Sequence, residues 1–260
     1  MAEWGLSILV QIDNLSVLFD TGGSFAAVRN ADKLGIDLSA IDKILLSHGH
    51  ADHTGGLREV LRRTGEKEVI AHPAIWEAKY TKRPYEEKEA YIGVPFVREE
   101  LEYFGASFKL SKEPVQISDN IMTTGEIPIT TDYEGNEPNF FVKEGDILRP
   151  DPLLDDLALV VKTEQGLVII LGCAHRGIIN TIRHAQRLTR EERVHTVVGG
   201  THLDPASKER IDKTIAGLKE IGVQRIGVSH CTGFRASMHL AQAFGDKFFL
   251  EQCGDSIHIA

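Results

Sequence analysis

The second half of the chain alternates short apolar segments with helical ones, and this alternation limits the fold more than any other feature of the sequence. A turn at Glu164-Gln165-Gly166 joins the strand-like segments LALVVKT and LVIILG, and the helical segment IINTIRHAQRL follows. The remaining segments, in order, are VHTVVGG, SKERIDKTIAGLKEIG, RIGVSH, FRASMHLAQAFG and a closing strand. Strands that alternate with helices at these lengths predict a layered α/β fold.

The first half of the chain also contains strand-like segments followed by helical ones. The segments LSILVQI and LSVLFD flank a turn signal at Asp13-Asn14 and predict a hairpin. A helix is expected from about residue 24 to 34, a buried strand at Ile44-Leu45-Leu46, and a helix through LREVLRRTG that Gly65 ends. We therefore expect one domain over residues 1–260, with two mixed sheets packed face to face and helices outside.

Two segments of the sequence show no regular spacing of apolar residues. Residues 75–102 are rich in Lys, Glu, Tyr and Pro, and we expect a partly helical surface excursion that acts as a lid. Residues 131–155 are rich in Gly, Pro, Asp and Asn, and we expect an irregular connection that is functional or mobile. The strand-like pieces ASFKLS, PVQIS and NIMTTG lie between these two segments.

Size and charge narrow the functional classes. A chain of 260 residues can bury enough surface to fold without disulfides or a structural metal, so a bound metal would serve chemistry. With 29 basic and 38 acidic side chains the formal net charge is −9. Because nucleic-acid binders depend on neutralising phosphates, this acidic balance argues against nucleic acid as a partner.

The sequence also indicates the compartment. No stretch approaches the roughly 18 consecutive apolar residues of a membrane span, and the start MAEWGLSILVQIDN has no basic region of the kind that begins a signal peptide. The three cysteines, Cys173, Cys231 and Cys253, form no CxxC pair and are odd in number, which is typical of a reducing compartment. We expect a cytoplasmic protein without a membrane partner.

Four metal-ligating side chains fall within six positions after a predicted buried strand. They are His48, His50, Asp52 and His53, in the glycine-bearing segment SHGHADHTGGL. Neutral imidazole and carboxylate groups are good ligands for borderline divalent metals, and two pairs of them can serve two metals a few ångströms apart. The segment predicts a metal site built on imidazole.

Three later strands end in further histidines, in the segments GCAH, GGTH and SHC. His175, His202 and His230 each follow an apolar strand, so we expect them to converge on one sheet edge. Arg176 and Arg235 lie close after two of these histidines and are candidates for binding a phosphate or carboxylate, because a guanidinium can bind either with two hydrogen bonds. Their alternative role is that of solvated residues at a helix start.

Other chemistries have less support in the sequence. The Gly-Gly pairs at 22–23 and 55–56 do not form a phosphate-binding loop, and no GxGxxG opens a helix after the first strand. The serine nucleophile motif G-x-S-x-G is also absent.

The H-x-H-x-D-H run, placed after Asp20-Thr21-Gly22, resembles the metallo-β-lactamase superfamily over nearly the whole chain. The resemblance implies an αββα sandwich with a dinuclear metal site. By analogy His48 and His50 hold one metal, which His175 completes or bridges. Asp52 and His53 hold the other metal, which His230 completes. Asp20 would orient a ligand loop, as carboxylates behind metal ligands commonly do, and its alternative role is to cap a turn.

The chain departs from the usual superfamily pattern at two positions. Glu126, in TTGEIP, stands where a histidine is usual, and Cys173 stands where a bridging aspartate is usual. Cys173 is open to two interpretations, a thiolate ligand or a small buried residue. His202, to which we assign a catalytic role, is open to two as well, a metal ligand or a substrate contact.

A narrower resemblance rests on the motifs LFDTG, LSHGHADHTGGL, TTGEIP, DDLALVVKTEQGLVIILGCAHRGIINT, GGTHL and SHCTG. Together they are similar to the subfamily that contains the dihydropterin ribofuranosyl-aminobenzene phosphate synthases. The resemblance implies two divalent metal ions, zinc as first choice with iron or manganese as alternatives. It does not fix the substrate, since one scaffold hosts many reactions.

The function implied is a metal-dependent hydrolase-like reaction on a small phosphorylated metabolite. The two metals would lower the pKa of a water to about 7 and generate hydroxide, or would activate a diphosphate leaving group for transfer. Asp52 would also steer the proton, and Arg176 or Arg235 would help to stabilise the developing oxyanion. A metal-bound ligand sensor without turnover and an iron redox protein are the alternatives, and a homo-oligomer stays open.

Overall fold

The structure is a computed structural model that describes residues 1–12, 14–82, 85, 87–135 and 137–259. Asp13 of the expected turn, residues 83, 84 and 86 of the expected lid, and residue 136 of the expected irregular connection lie outside the described residues.

The chain divides into two compact units. Unit 1 comprises Met1–Glu113 and Asn136–Leu157, and unit 2 comprises Pro114–Gly135 and Ala158–Ala260. The expectation of one domain over residues 1–260 stays a prediction.

The described residues form strands and helices in the following chain order. The strands are β1 (Ile8–Ile12), β2 (Leu15–Phe19), β3 (Lys43–Leu45), β4 (Lys67–Ala71), β5 (Lys79–Thr81), β6 (Ala90–Tyr91), β7 (Ala106–Leu110), β8 (Gln116–Ser118), β9 (Ile121–Thr123), β10 (Phe140–Glu144), β11 (Ile147–Pro150), β12 (Ala158–Thr163), β13 (Gly166–Leu171), β14 (Val194–Gly199), β15 (Arg225–Val228) and β16 (Phe248–Leu250). The α-helices are α1 (Ala26–Leu34), α2 (Ala51–Thr54), α3 (Leu57–Thr64), α4 (Arg98–Tyr103), α5 (Ile178–Thr189), α6 (Lys208–Ile221) and α7 (Gly233–Phe244).

Unit 1 contains a mixed five-stranded sheet in the order β1-β2-β3-β4-β7. β1 and β2 form the predicted antiparallel hairpin, and β2, β3, β4 and β7 run parallel. α3 buries Leu57, Val60 and Leu61, whose spacing follows one helical face, against the apolar side chains of this sheet. The helix ends at Gly65, which has φ +68° and donates its N–H to the carbonyl of Leu61, as the sequence predicts.

Unit 1 also contains an antiparallel sheet, in the order β11-β10-β5-β6, that the sequence does not predict. β10 and β11 form a hairpin around Gly145 (φ +60°), so the expectation of an irregular connection over 131–155 is wrong there. β5 and β6 lie within 75–102, and Lys79 and Leu101 of that segment are fully buried. The expected surface excursion is therefore wrong for these residues, while a lid motion stays a prediction.

The physical reason is that these strands pair across a long sequence distance. β5 pairs with β10, through Tyr80 opposite Phe141 and Lys79 opposite Val142. A strand of three residues has too few positions to show a period, and its partner lies about sixty residues away. Local sequence patterns therefore do not reveal the pairing.

Unit 2 contains a mixed seven-stranded sheet in the order β16-β15-β14-β13-β12-β9-β8. β12 and β13 form the predicted antiparallel hairpin, and β13 to β16 run parallel. α5 buries Ile178, Ile179, Ile182 and Ala185 in the core of this unit, together with the apolar positions of α6 and α7. Because β13, β14 and β15 are parallel neighbours, the chain leaves all three at the same sheet edge, as predicted.

Both units thus have the mixed sheets and helices of the predicted α/β class. No helix in the described part of the chain is long and apolar enough to cross a membrane.

Candidate metal centre

Three buried imidazoles lie together in unit 1, between β3 and α3. We call residues 48–53, which include the start of the short helix α2, the histidine loop. Nε2 of His48 is 3.0 Å from Nδ1 of His50, and the ring centroids of His48 and His53 are 4.1 Å apart. Asp52, whose side chain is 25% exposed, has Oδ2 3.8 Å from Nε2 of His53. The structure therefore brings together the four side chains that the sequence pattern predicts, and it leaves one of them, Asp52, accessible to solvent.

Asp20 holds this loop from the end of β2. Its Oδ2 is 2.6 Å from Nδ1 of His53, its Oδ1 accepts the N–H of Ser47 at 2.7 Å, and all of these groups are buried. An ionised carboxylate can only accept hydrogen bonds, so Nδ1 of His53 carries the proton and Nε2 presents a lone pair. This arrangement fits the orienting role that the superfamily resemblance implies for Asp20.

Ser47 extends the same network to His48. Its hydroxyl donates to Oδ2 of Asp20 at 2.6 Å and lies 2.9 Å from Nδ1 of His48. Because the single hydroxyl proton points to Asp20, the oxygen accepts from Nδ1–H of His48. Nε2 of His48 is then the nitrogen with a lone pair, as metal binding requires.

A second carboxylate, to which the sequence pattern assigns no role, holds the loop through Gly49. Asp155 Oδ2 accepts the N–H of Gly49 at 2.7 Å, and its Oδ1 is 2.9 Å from the buried Nζ of Lys79. Asp151 lies 2.8 Å from the same Nζ. In the sequence, the role of Asp155 is indicated only by its position in an Asp155-Asp156 pair before an apolar strand. Nothing in the sequence connects Asp155 with Lys79.

Gly49 also needs to be a glycine at this point. A Cβ there would lie 2.6 Å from the carbonyl oxygen of Ile75 and 3.2 Å from Oδ2 of Asp155. The close approach of these groups fixes the backbone between His48 and His50.

The unpredicted antiparallel sheet of unit 1 contributes to the same loop. Phe140 of β10 has its ring centroid 5.1 Å from that of His50, and the N–H of Ala51 donates at 2.8 Å to the carbonyl of Ile92, the residue after β6. Together with Lys79 of β5, these contacts show that the sheet supports the histidine loop.

The electrostatics keep the imidazole of His50 in its metal-binding form. Burial lowers the pKa of His50 from 6.5 to about 3, and the charge of Asp52 only partly opposes this. The ring is therefore neutral at pH 7, and a neutral imidazole is the form that binds cations. Burial alone would lower the pKa of Lys79, but Asp155 and Asp151 raise it above its ordinary value, so Lys79 stays charged.

In unit 2, His175, His202 and Cys231 lie near one another beyond the strands β13, β14 and β15. The ring centroids of His175 and His202 are 4.3 Å apart, and the N–H of His202 donates to Sγ of Cys231 at 3.2 Å. His202 and His230 have φ of +46° and +52°, a region that non-glycine residues seldom occupy and that is common at functional sites.

Cys173 joins the same group. The potential ligand atoms of Cys173, His202 and Cys231 all lie within 4.8 Å of one another. Burial raises the pKa of the Cys231 thiol, but the hydrogen bonds with Cys173 and His202 and the nearby imidazoles together lower it well below its ordinary value. The sequence leaves Cys173 open as a thiolate ligand or a small buried residue, and it does not connect Cys173 with Cys231.

The two arginines that the sequence proposes for substrate each bond to a backbone carbonyl in unit 2. Nε of Arg176 donates to Ile127 at 2.9 Å, and the guanidinium of Arg235, an exposed residue of α7, donates to Ala206. Glu126 is half-buried beside Ile127. The proposed roles of all three stay predictions.

The start of α5 is occupied by a carboxylate of the same unit. Glu134 is buried and accepts the N–H groups of Ile179 and Asn180, each at 3.0 Å. Burial raises the pKa of Glu134 despite these two bonds. Since Glu134 fills the helix end that would otherwise attract an anion, a substrate phosphate would need another partner.

Comparisons with known proteins agree with this architecture. The model of the metallo-beta-lactamase superfamily matches residues 5–178. The chain is 32% identical over 257 residues, which is 95% of this chain and 87% of the relative, to the 7,8-dihydropterin-6-methyl-4-(beta-D-ribofuranosyl)-aminobenzene-5'-phosphate synthase of Methanocaldococcus jannaschii. It is 31% identical, over 93% of this chain and 88% of the relative, to an uncharacterized protein of the same organism.

A solved structure is similarly close. It is described as a metal-dependent hydrolase of the beta-lactamase superfamily, with a TM-score of 0.84 and 33% identity. The match covers 99% of this chain and 93% of that one.

Proposed function

Because this chain belongs to the metallo-beta-lactamase superfamily, we propose that it is a metal-dependent enzyme acting on a small phosphorylated metabolite. Its mixed sheets and helices are those of the metallo-beta-lactamase fold. The observation that carries the proposal is the bond between Asp20 and His53, because it presents an imidazole lone pair beside His48 in a buried loop.

The donor set of unit 1 fits a divalent transition metal. The rings of His48, His50 and His53 are buried, and hydrogen bonding to Ser47 and Asp20 leaves a lone pair on Nε2 of His48 and of His53. We propose that His48 and His50 hold one ion, and Asp52 and His53 the other, with zinc as first choice and iron or manganese as alternatives. His175 and His230 as further ligands stay a prediction.

When bound, such ions supply Lewis acidity that activates water and polarises a phosphoryl group or its leaving group. The chain's own residues then divide the remaining tasks. Asp52, with its partly exposed carboxylate, is proposed to accept the proton of the attacking water. Asp20 and Asp155 keep the loop in place, through His53 and Gly49 respectively. Arg176 and Arg235 are proposed to bind the substrate phosphate.

The substrate class rests on two observations. The curated relative at 32% identity is named as the synthase of an aminobenzene 5'-phosphate, so that protein's compound carries a phosphate. The net charge of −9 opposes long polyanions, while a single compact phosphate needs only one or two guanidinium groups. The synthase name also favours a second candidate function, activation of a diphosphate leaving group for transfer to an acceptor.

The test is a substrate panel with manganese, zinc or iron supplied. Phosphomonoesters, phosphodiesters, lactones and labelled nucleic acids would be compared, and transfer would be assayed with an acceptor that carries an aminobenzene group, as the name of the relative suggests. We expect turnover of a small phosphate ester or diphosphate, and a loss of about 10²-fold or more in kcat for Asp52→Asn. His258→Ala, which changes an exposed histidine near the chain end, should behave as wild type.

Several outcomes would contradict the proposal. Efficient cleavage of nucleic acid, or lactone hydrolysis that neither Arg176→Ala nor Arg235→Ala changes, would refute the substrate class. Tight binding of a phosphorylated ligand without turnover of any substrate would favour the sensor, and reversible colour changes with iron would favour the redox protein.

A further inference from the structure

Two sulfur atoms and one imidazole come together in unit 2 at the edge where three parallel strands end. Cys173 follows β13, His202 follows β14 and Cys231 follows β15. Their potential ligand atoms lie within 4.8 Å of one another, and both cysteines are buried, at 3% and 6% exposure. These three groups come from segments 29 and 58 residues apart, so the strand order of the sheet, not their sequence spacing, brings them together.

The spacing suits a transition-metal ion. Metal–sulfur bonds of about 2.3 Å and metal–nitrogen bonds of about 2.0 Å place the ligand atoms of a tetrahedral site roughly 3.5–4 Å apart. A set already within 4.8 Å reaches that spacing by small changes in side-chain torsion angles. Two thiolates and one imidazole are ligands that zinc and iron accept, and they prefer these ions to magnesium or calcium.

The backbone around Cys231 is arranged for a sulfur atom. The N–H of His202 donates to Sγ of Cys231 at 3.2 Å, and an N–H directed at sulfur favours its negatively charged form. A Cβ at Gly200 would lie 2.7 Å from the same sulfur, so a glycine leaves the space that Sγ occupies. The sulfur position is therefore fixed by Gly200 and His202, two residues of the loop after β14.

We propose that Cys173, Cys231 and His202 bind a thiophilic transition-metal ion, of the zinc or ferrous type, in unit 2. This goes beyond the proposed function, whose metal ligands are all nitrogen and oxygen atoms. Binding converts two thiols to thiolates, and their two protons pass to solvent or buffer. The proposal selects the ligand role for His202 and for Cys173 from the alternatives that the sequence left open.

The test uses the full-length protein, freed of metal under reducing conditions and titrated with Co²⁺ in the absence of oxygen. We expect an intense near-ultraviolet sulfur-to-cobalt charge-transfer band that saturates at a fixed equivalent of Co²⁺. X-ray absorption of the zinc-loaded wild type should in addition show sulfur neighbours at about 2.3 Å. Neither measurement on wild type depends on the folding of a variant.

Variants then assign the ligands. Cys173→Ser and Cys231→Ser should each remove about half or more of the charge-transfer band, and His202→Ala should weaken Co²⁺ binding at this site by about 10-fold or more. Cys253→Ser, which changes the exposed cysteine, is the matched control and should retain the full band. Far-ultraviolet circular dichroism would verify that each variant folds.

The result that overturns the proposal is metal binding without sulfur. Bound cobalt that shows only weak d–d bands, or a band that Cys231→Ser leaves unchanged, would mean that Cys231 is a neutral thiol hydrogen-bonded to the carbonyl of Cys173, which lies 3.8 Å away. This outcome would leave the proposed enzymatic function standing. A sulfur shell in a protein without turnover would refute the enzymatic function and uphold the sulfur site.

Discussion

Lys79 and Asp155 form a fully buried ion pair, with Nζ 2.9 Å from Oδ1, and the second oxygen of Asp155 holds the N–H of Gly49. Asp151 completes a triad around the same ammonium group. The pair therefore connects β5 with the backbone between two proposed metal ligands, His48 and His50. A buried ion pair of this kind holds the local geometry only while both charges are present, because either charge alone is buried without a partner.

Removal of the cation should destabilise the fold. Lys79→Met leaves two buried carboxylates without their partner, and breaking such a pair typically costs about 3–5 kcal/mol of unfolding free energy. Urea unfolding would measure it. The control is Lys43→Met, because Lys43 pairs with Glu68 at a partly exposed site where we expect about 1 kcal/mol or less. Equal losses for the two variants would contradict the role of the buried triad.

The carboxylate of Asp155 should matter for metal binding as well as for stability. Asp155→Asn removes the charge facing Lys79 and weakens the hydrogen bond that positions Gly49. Zinc affinity should therefore fall by about 10–100-fold, as is typical when a residue that hydrogen-bonds to a metal-binding segment is replaced. Competition with a chromophoric chelator measures this without any substrate. Asp246→Asn, at an exposed site, should leave the affinity unchanged. Wild-type affinity in Asp155→Asn would show that the bond to Gly49 does not position the ligands.

Asp20 should act on metal binding through His53. In Asp20→Asn the amide can donate to the ring nitrogen, so His53 is no longer held with its Nε2 lone pair available. We expect zinc affinity to fall by about 10–100-fold. Ser47→Ala, which keeps the bond between Asp20 and His53 but removes the hydroxyl beside His48, should have a smaller effect. A larger loss for Ser47→Ala than for Asp20→Asn would reverse the proposed order of importance.

Stability of the metal-free protein should fall in weak acid because of His50. The folded pKa is about 3, and an unfolded histidine has a pKa near 6.5, so between these values the unfolded state binds the extra proton. Unfolding is then favoured as the pH falls, and between pH 7.5 and 5.5 the contribution is about 1.4 kcal/mol. Urea unfolding with a chelator present measures the change.

The control for this prediction is a pair of histidine variants. His50→Gln should reduce the dependence between pH 7.5 and 5.5 by about 1.4 kcal/mol, and His258→Ala should keep it in full. If His50→Gln keeps the full dependence on pH, the group responsible is another one.

The sequence predicts those parts of the fold that have a local period. The β1–β2 and β12–β13 hairpins and the helices α3, α5 and α6 follow from apolar spacing and from turn or capping residues such as Gly65. It does not predict the sheet that pairs β5 with β10, since both strands are short and distant in sequence. The sequence does not predict the burial of Lys79 either, because its partners Asp151 and Asp155 lie more than seventy residues away.

In the candidate site, too, local patterns predict some contacts and not others. The four proposed ligands from His48 to His53 fall in one short segment, so their proximity follows from the sequence. The convergence of His175 and His202 follows from the strand pattern, since parallel neighbours end at one edge. The contact between His202 and Cys231 depends on how two loops close after their strands, which no local pattern encodes.

The metal content of the purified protein tests whether the histidine loop holds metal ions. After dialysis against zinc, manganese or ferrous iron and removal of loosely bound ions, elemental analysis should find about one to two transition-metal ions per chain. His48→Ala should lose much of that metal while its far-ultraviolet circular dichroism stays that of wild type. Wild-type protein that stays free of metal after all three treatments would contradict the account.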